Sequence, residues 1–102
     1  MTTQRSFNEA KKEYFRTMKQ YVPVVDKVHG GHHPEFHDVR KLYESIVEKT
    51  KEAGSGRPEL TEEFSRLRDI TDDYKVPDDV CESYQAVYQM LSEIDKAYSA
   101  QA

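Results

Sequence analysis

The sequence predicts an all-α fold, an antiparallel up-down-up-down four-helix bundle, and three observations predict it. Apolar side chains recur at steps of three and four along four separate stretches. Glycine or proline punctuates each junction between them, and no stretch alternates apolar and polar residues as a half-buried strand does. The connections are a few residues long, which favours antiparallel neighbours. The 102 residues form one domain over 1–102, enough for a single modest core and too few for two.

The first helix should start at Ser6-Phe7-Asn8-Glu9, which has the spacing of a capping box. Phe7, Ala10, Tyr14, Met18, Tyr21, Val25 and Val28 form its apolar line, and Gly30-Gly31 supplies the stop. Pro23 falls inside this run and is expected to bend the helix or break it locally. Pro34 suits the first turn of a second helix, whose line runs Phe36, Val39, Leu42, Tyr43, Ile46 and Ala53 to Gly54-Ser55-Gly56. A third begins near Pro58, places Leu60, Phe64, Leu67, Ile70 and Tyr74 on one face, and ends before Pro77. Asp78 or Asp79 should cap the fourth, where Asp79-x-x-Glu82 repeats the capping-box spacing and Val80, Tyr84, Val87, Leu91, Ile94 and Tyr98 form the seam.

Charged residues make up 33% of the chain and hydrophobic ones 36%, yet 7 Tyr and 4 Phe argue for an ordered, aromatic core. A net charge of -4 without a basic face, and no nucleic-acid motif, exclude nucleic acid as a partner. No apolar run approaches the roughly 18 residues of a spanning helix, and Met1-Thr2-Thr3-Gln4-Arg5 leads into a charged segment. A cytoplasmic protein without a membrane partner is expected. The single cysteine, Cys81, fits a reducing compartment.

All four histidines crowd into His29-Gly30-Gly31-His32-His33-Pro34-Glu35-Phe36-His37. Imidazole is a common transition-metal ligand, so His29, His32, His33 and His37 are candidate ligands, with Zn or Ni the metals that suit them. The helix assignments weigh against a core site: His29 closes the first helix, the other three open the second, and all four fall at one end of the bundle. A di-iron site needs ligands from several helices at mid-height. The preferred reading is a corner between two helices, with glycines for the turn and proline at the first turn.

Two stretches resemble a known family. Val25-Asp26-Lys27-Val28-His29-Gly30-Gly31-His32-His33-Pro34-Glu35-Phe36 is similar to the "KVxxVHGxxHPEL" segment of the iron-sulfur cluster repair di-iron proteins, also called regulators of cell morphogenesis and NO signalling. The stretch from Leu67 to Tyr84, with Thr71, Tyr74, Pro77, Cys81 and Tyr84 in register, resembles that family's "IRxLTxxYxPPxxACxTY". The resemblance implies a hemerythrin-like bundle, a di-iron centre held by histidines and glutamates from all four helices, commonly as His-x-x-x-Glu pairs, and a part in repairing iron-sulfur clusters damaged by nitric oxide or oxidants.

The chain departs from the family at those ligands. His29 is followed four residues on by His33, His32 by Phe36, His33 by His37 and His37 by Lys41, so no His-x-x-x-carboxylate pair exists. Where the family carries its second-helix ligands the chain reads Lys51-Glu52-Ala53-Gly54-Ser55-Gly56-Arg57, a short turn; where a His-Glu pair is expected before Thr71 it reads Arg57-Pro58-Glu59-Leu60. Residues 5–16 hold no histidine, and the last ligand segment would begin around Gln101.

Cys81 is placed by this reading in the first turn of the fourth helix, where a redox role for its thiol stands beside the preferred one of a small buried residue. Asp72, Asp73, Asp78 and Asp79 are assigned to turns and caps, Glu62-Glu63 and Lys49-Lys51 to solvated faces, and Tyr14/Tyr21 and Tyr84/Tyr88 to the core with hydroxyls at the rim. No nucleophile-base pair or phosphate loop is visible, which leans against an enzyme. The expected protein is a ligand-depleted, non-catalytic binding or regulatory module in stress response, with no resident cofactor, a protein partner in iron-sulfur maintenance and a homodimeric state. The alternative is a metal-binding repair protein or metal carrier working through the histidine cluster.

Overall fold

The computed structural model describes residues 7–54 and 56–100. They form α1 (Phe7–His29), α2 (Glu35–Ala53), α3 (Thr61–Thr71) and α4 (Glu82–Ala100), with no strand among the described residues. The protein is an all-α four-helix bundle, in which α1 packs along both α4 and α2, and α2 carries α3. The expected cap at Ser6 lies outside the described residues.

In α1, Phe7, Ala10, Met18, Val22 and Val25 are buried, with Tyr14 and Tyr21 half-buried against them. Val28, expected in the core, is 62% exposed. The inward line advances from Val22 to Val25 and then by four to His29, because 3.6 residues per turn drift away from a strict three-four alternation. Pro23 does not break the helix, which runs unbroken to His29. Pro23 and Lys19 are exposed, so the bond that the ring removes from the Lys19 carbonyl is lost on the solvent side of the helix.

Pro34 directly precedes α2 with helical dihedrals (φ -61°, ψ -21°), and Phe36, Val39, Leu42, Tyr43 and Ile46 are buried as their spacing requires. Gly54 ends the helix at φ 59°, a conformation that suits glycine because a Cβ is strained there. At the start of α3, Tyr98 of α4 stitches the chain down: its hydroxyl donates to the Pro58 carbonyl at 2.9 Å and accepts from the Leu60 amide at 2.8 Å. The Arg57 guanidinium lies 4.0 Å over the same ring.

α3 ends at Thr71, so Tyr74 is not on its face as expected. Asp72, Asp73 and Tyr74 take positive φ of 53°, 62° and 64°, and bonds from the Asp73 amide to the Arg68 carbonyl and from the Tyr74 amide to Thr71 Oγ1 hold this costly turn. The turn keeps the Tyr74 ring against the core and brings its hydroxyl 2.7 Å from Asp95.

α4 buries more than its seam: Tyr84, Val87, Tyr88, Met90, Leu91, Ile94, Asp95, Ala97 and Tyr98. Asp95, 4% exposed, receives both of its closest charge contacts from Arg68 Nη1 at 2.8 Å. A buried carboxylate is stable only when paired and hydrogen-bonded, and the Arg68 cation with the Tyr74 hydroxyl meets that need. The rings of Tyr84 and Tyr88 lie in the core as expected, but their hydroxyls are not at the rim. Both are buried, their hydroxyls hydrogen-bond to each other at 3.0 Å, and burial pushes both phenols up from their usual range.

Candidate functional site

The corner between α1 and α2 turns on Gly30. Its amide bonds back to the Asp26 carbonyl at 2.9 Å, and the His32 and His33 amides both reach the His29 carbonyl, at 3.0 and 2.8 Å. A Cβ at Gly30 would collide with the Asp26 carbonyl and lie 2.7 Å from His37 Cε1, whereas one at Gly31 meets nothing. The first glycine is needed for close approach; the second is not. The tight turn brings the last residue of α1 and the start of α2 beside the segment leading into α4.

Each of the corner histidines has its own surroundings. His29 Nε2 stands 3.1 Å from Cys81 Sγ, and its ring meets the buried Tyr84 ring edge-on at 5.6 Å. His33 sits between two carboxylates, donating from Nδ1 to Glu35 at 3.1 Å and from Nε2 to Asp79 at 3.0 Å. A neutral imidazole has one donor and one acceptor nitrogen, and both partners only accept, so this arrangement requires the doubly protonated ring. Burial works against that charge, but the bonds to Glu35 and Asp79 prevail and hold His33 above its ordinary value. The same bond to His33 is the main cause that holds Asp79 below the usual carboxylate range.

His37 Nδ1 lies 2.5 Å from Asp26 Oδ1, and Arg40 donates to the other Asp26 oxygen at 3.0 Å. His32 is exposed. The four histidines therefore lie close in sequence without converging on one point. Among the described residues no group of three or more His, Cys, Asp or Glu side chains is arranged to hold a metal ion.

Cys81 is neither in the first turn of α4 nor buried, in contrast to expectation. It is exposed and precedes the helix, its carbonyl accepting the Gln85 amide at 3.1 Å. Asp79 does not close a capping box, because α4 begins only at Glu82; its carboxylate accepts from His33 instead. Glu63, expected on a solvated face, is 6% exposed and bound to Lys49 at 2.6 Å and Ser45 at 3.1 Å. Burial opposes its charge, yet these contacts hold its carboxyl below the usual range.

These positions also test a di-iron centre against the interior. The described histidines lie at the corner, the buried carboxylates Glu63 and Asp95 are each neutralised by a separate cation, and the space around Phe36 is taken by the Tyr84 and Tyr88 rings at 5.0 and 6.3 Å. The described residues do not fit the group.

The two stretches singled out in the sequence prove to be one place in space. His29 and His33 of the first touch Cys81 and Asp79 of the second, and Tyr84 packs against His29, His33 and Phe36 together. "Iron-sulfur cluster repair protein ScdA" from each of two strains of Staphylococcus epidermidis is 24% identical to this chain over 125 aligned positions, covering 91% of the chain and 55% of that protein. The chain is similar to an iron-sulfur cluster repair protein. It spans about half the length of the curated repair proteins it matches. The 125 aligned positions exceed the 102 residues available, so the repair proteins carry segments within the aligned stretch that this chain lacks. No family model and no solved structure matches the chain. No helix among the described residues is long and apolar enough to cross a membrane.

Proposed function

We propose that the chain is a non-catalytic binding or regulatory module of iron-sulfur cluster maintenance under nitric oxide or oxidative stress. In this reading it works in the cytoplasm with a protein partner, on a hemerythrin-like frame that does without the di-iron ligand set. The observation that carries the reading is the separate occupation of the corner: His29 on Cys81, His33 between Glu35 and Asp79, and His37 on Asp26. Similarity to the repair proteins over 91% of the chain supports the setting, while fold-level kinship leaves activity open.

The test is metal content of the full chain purified without an affinity tag, with its optical spectrum. Folded, metal-free protein is expected. Stoichiometric iron with an oxo-bridged di-iron absorption overturns the reading, and stoichiometric Zn or Ni that disappears in His33→Ala and His37→Ala overturns it in favour of a metal carrier. A homodimer belongs to the same reading, and sedimentation showing only monomer at high micromolar concentration removes it.

A further inference from the structure

His29 and Cys81 come from the two halves of the chain, 52 positions apart, and meet with the ring Nε2 3.1 Å from Sγ. We propose that this pair is a site of reversible thiol modification, at which Cys81 exchanges with small disulfides and His29 serves as its base. A nucleophile and a base within hydrogen-bond reach, the base held by a third group, is the arrangement that activates a thiol. The third group here is Tyr84: its fully buried ring meets the imidazole edge-on at 5.6 Å and 89°, and His29 is itself fixed as the last residue of α1. A cysteine with only packing to do is among the most buried residue types, whereas Cys81 is exposed and its neighbour is an ionisable ring.

In the exchange, the Sγ proton passes to His29 Nε2 as the sulfur attacks one sulfur of a disulfide RS–SR. The RS–SR bond breaks as the bond from Cys81 Sγ to SR forms, and the departing RS⁻ takes the proton from His29. One disulfide is consumed and one mixed disulfide is made, so no outside oxidant is needed; excess thiol runs the step backwards. Exposure of the sulfur admits a small disulfide without opening the core.

The test uses the full chain with glutathione disulfide as the probe, following the adduct by intact-mass spectrometry across pH in the wild type, C81S, H29A and H29Q, with a melting curve for each. A single adduct is expected on the wild type and none on C81S. Near neutral pH it should form about tenfold or more faster than in H29A and H29Q, the range for a positioned base. The rates should converge in alkali, where the thiol ionises unaided. Should H29A lose its melting transition, H29Q decides, since glutamine still reaches the sulfur but takes no proton. Equal rates in the wild type and H29Q, or no adduct on the folded wild type, overturn the proposal.

Discussion

His33 and Asp79, 46 positions apart, are joined at 3.0 Å by a bond that, beside the one to Glu35, only a doubly protonated imidazole can make. This ties the start of α2 to the connection between α3 and α4, and it gives the fold a pH dependence with a definite sign. The folded His33 value is raised, so its contribution is full below about pH 6.5 and is lost as pH rises through the raised value. The folded Asp79 value is lowered, so its share is present above about pH 4 and fades as pH falls through the lowered value. Urea denaturation of the wild type and His33→Phe should therefore show a larger stability gap near pH 5.5 than near pH 8.5. An equal gap at both removes the clamp.

Gly30 and Gly31 are neighbours in sequence with unequal tolerance. Gly30→Ala must displace the Asp26 carbonyl or His37 and should cost about 1–3 kcal/mol. Gly31→Ala meets open space and should stay within about 0.5 kcal/mol. Thermal melts of the two variants check the contrast, and equal effects would contradict the corner geometry.

Tyr98→Phe removes one hydroxyl and orphans two buried backbone groups, the Pro58 carbonyl and the Leu60 amide. A loss of about 2 kcal/mol is expected. Hydrogen exchange should locate it, with faster exchange at Leu60 than across α2.

Asp95 depends on Arg68 for its charge partner. Arg68→Met leaves the buried carboxylate with the Tyr74 and Ser99 hydroxyls as its remaining partners and should destabilise by about 2–3 kcal/mol, read from urea midpoints. The double variant R68M/D95L should recover most of that loss; no recovery would mean that the cost lies in packing instead of unpaired charge.

The helices were legible because their signals are local. Pro34 and Gly54 act through backbone conformation and Gly30 through the close approach of the Asp26 carbonyl and His37, all within a few residues, and each stands where α1 or α2 begins or ends. Register was legible in the middle of helices and not at their ends: Val28 and His29 compete for one inward position, and the choice is made by Tyr84, 55 residues from His29. Asp95 carried an overlooked signal, since Leu91, Asp95 and Tyr98 follow the core spacing, but a carboxylate on that line reads as surface until Arg68 and Tyr74 are seen beside it. Cys81 and Asp79 were misread for the same reason. Near a helix start, local rules assign caps and burial, whereas here His29 and His33, brought in from the first half of the chain, set the surroundings. Glu63 likewise needed Lys49 of α2 to become buried.

The core phenols give the molecule a built-in alkaline indicator. With no tryptophan in the chain, ultraviolet absorbance above the protein band reports tyrosine alone. Tyr74 and Tyr88 are pushed well above the ordinary phenol range, chiefly by burial, so in rising pH their phenolate absorbance should stay silent while the bundle holds. The phenolate signal from the interior should then arrive as an abrupt step when the bundle opens, timing the collapse of its own enclosure.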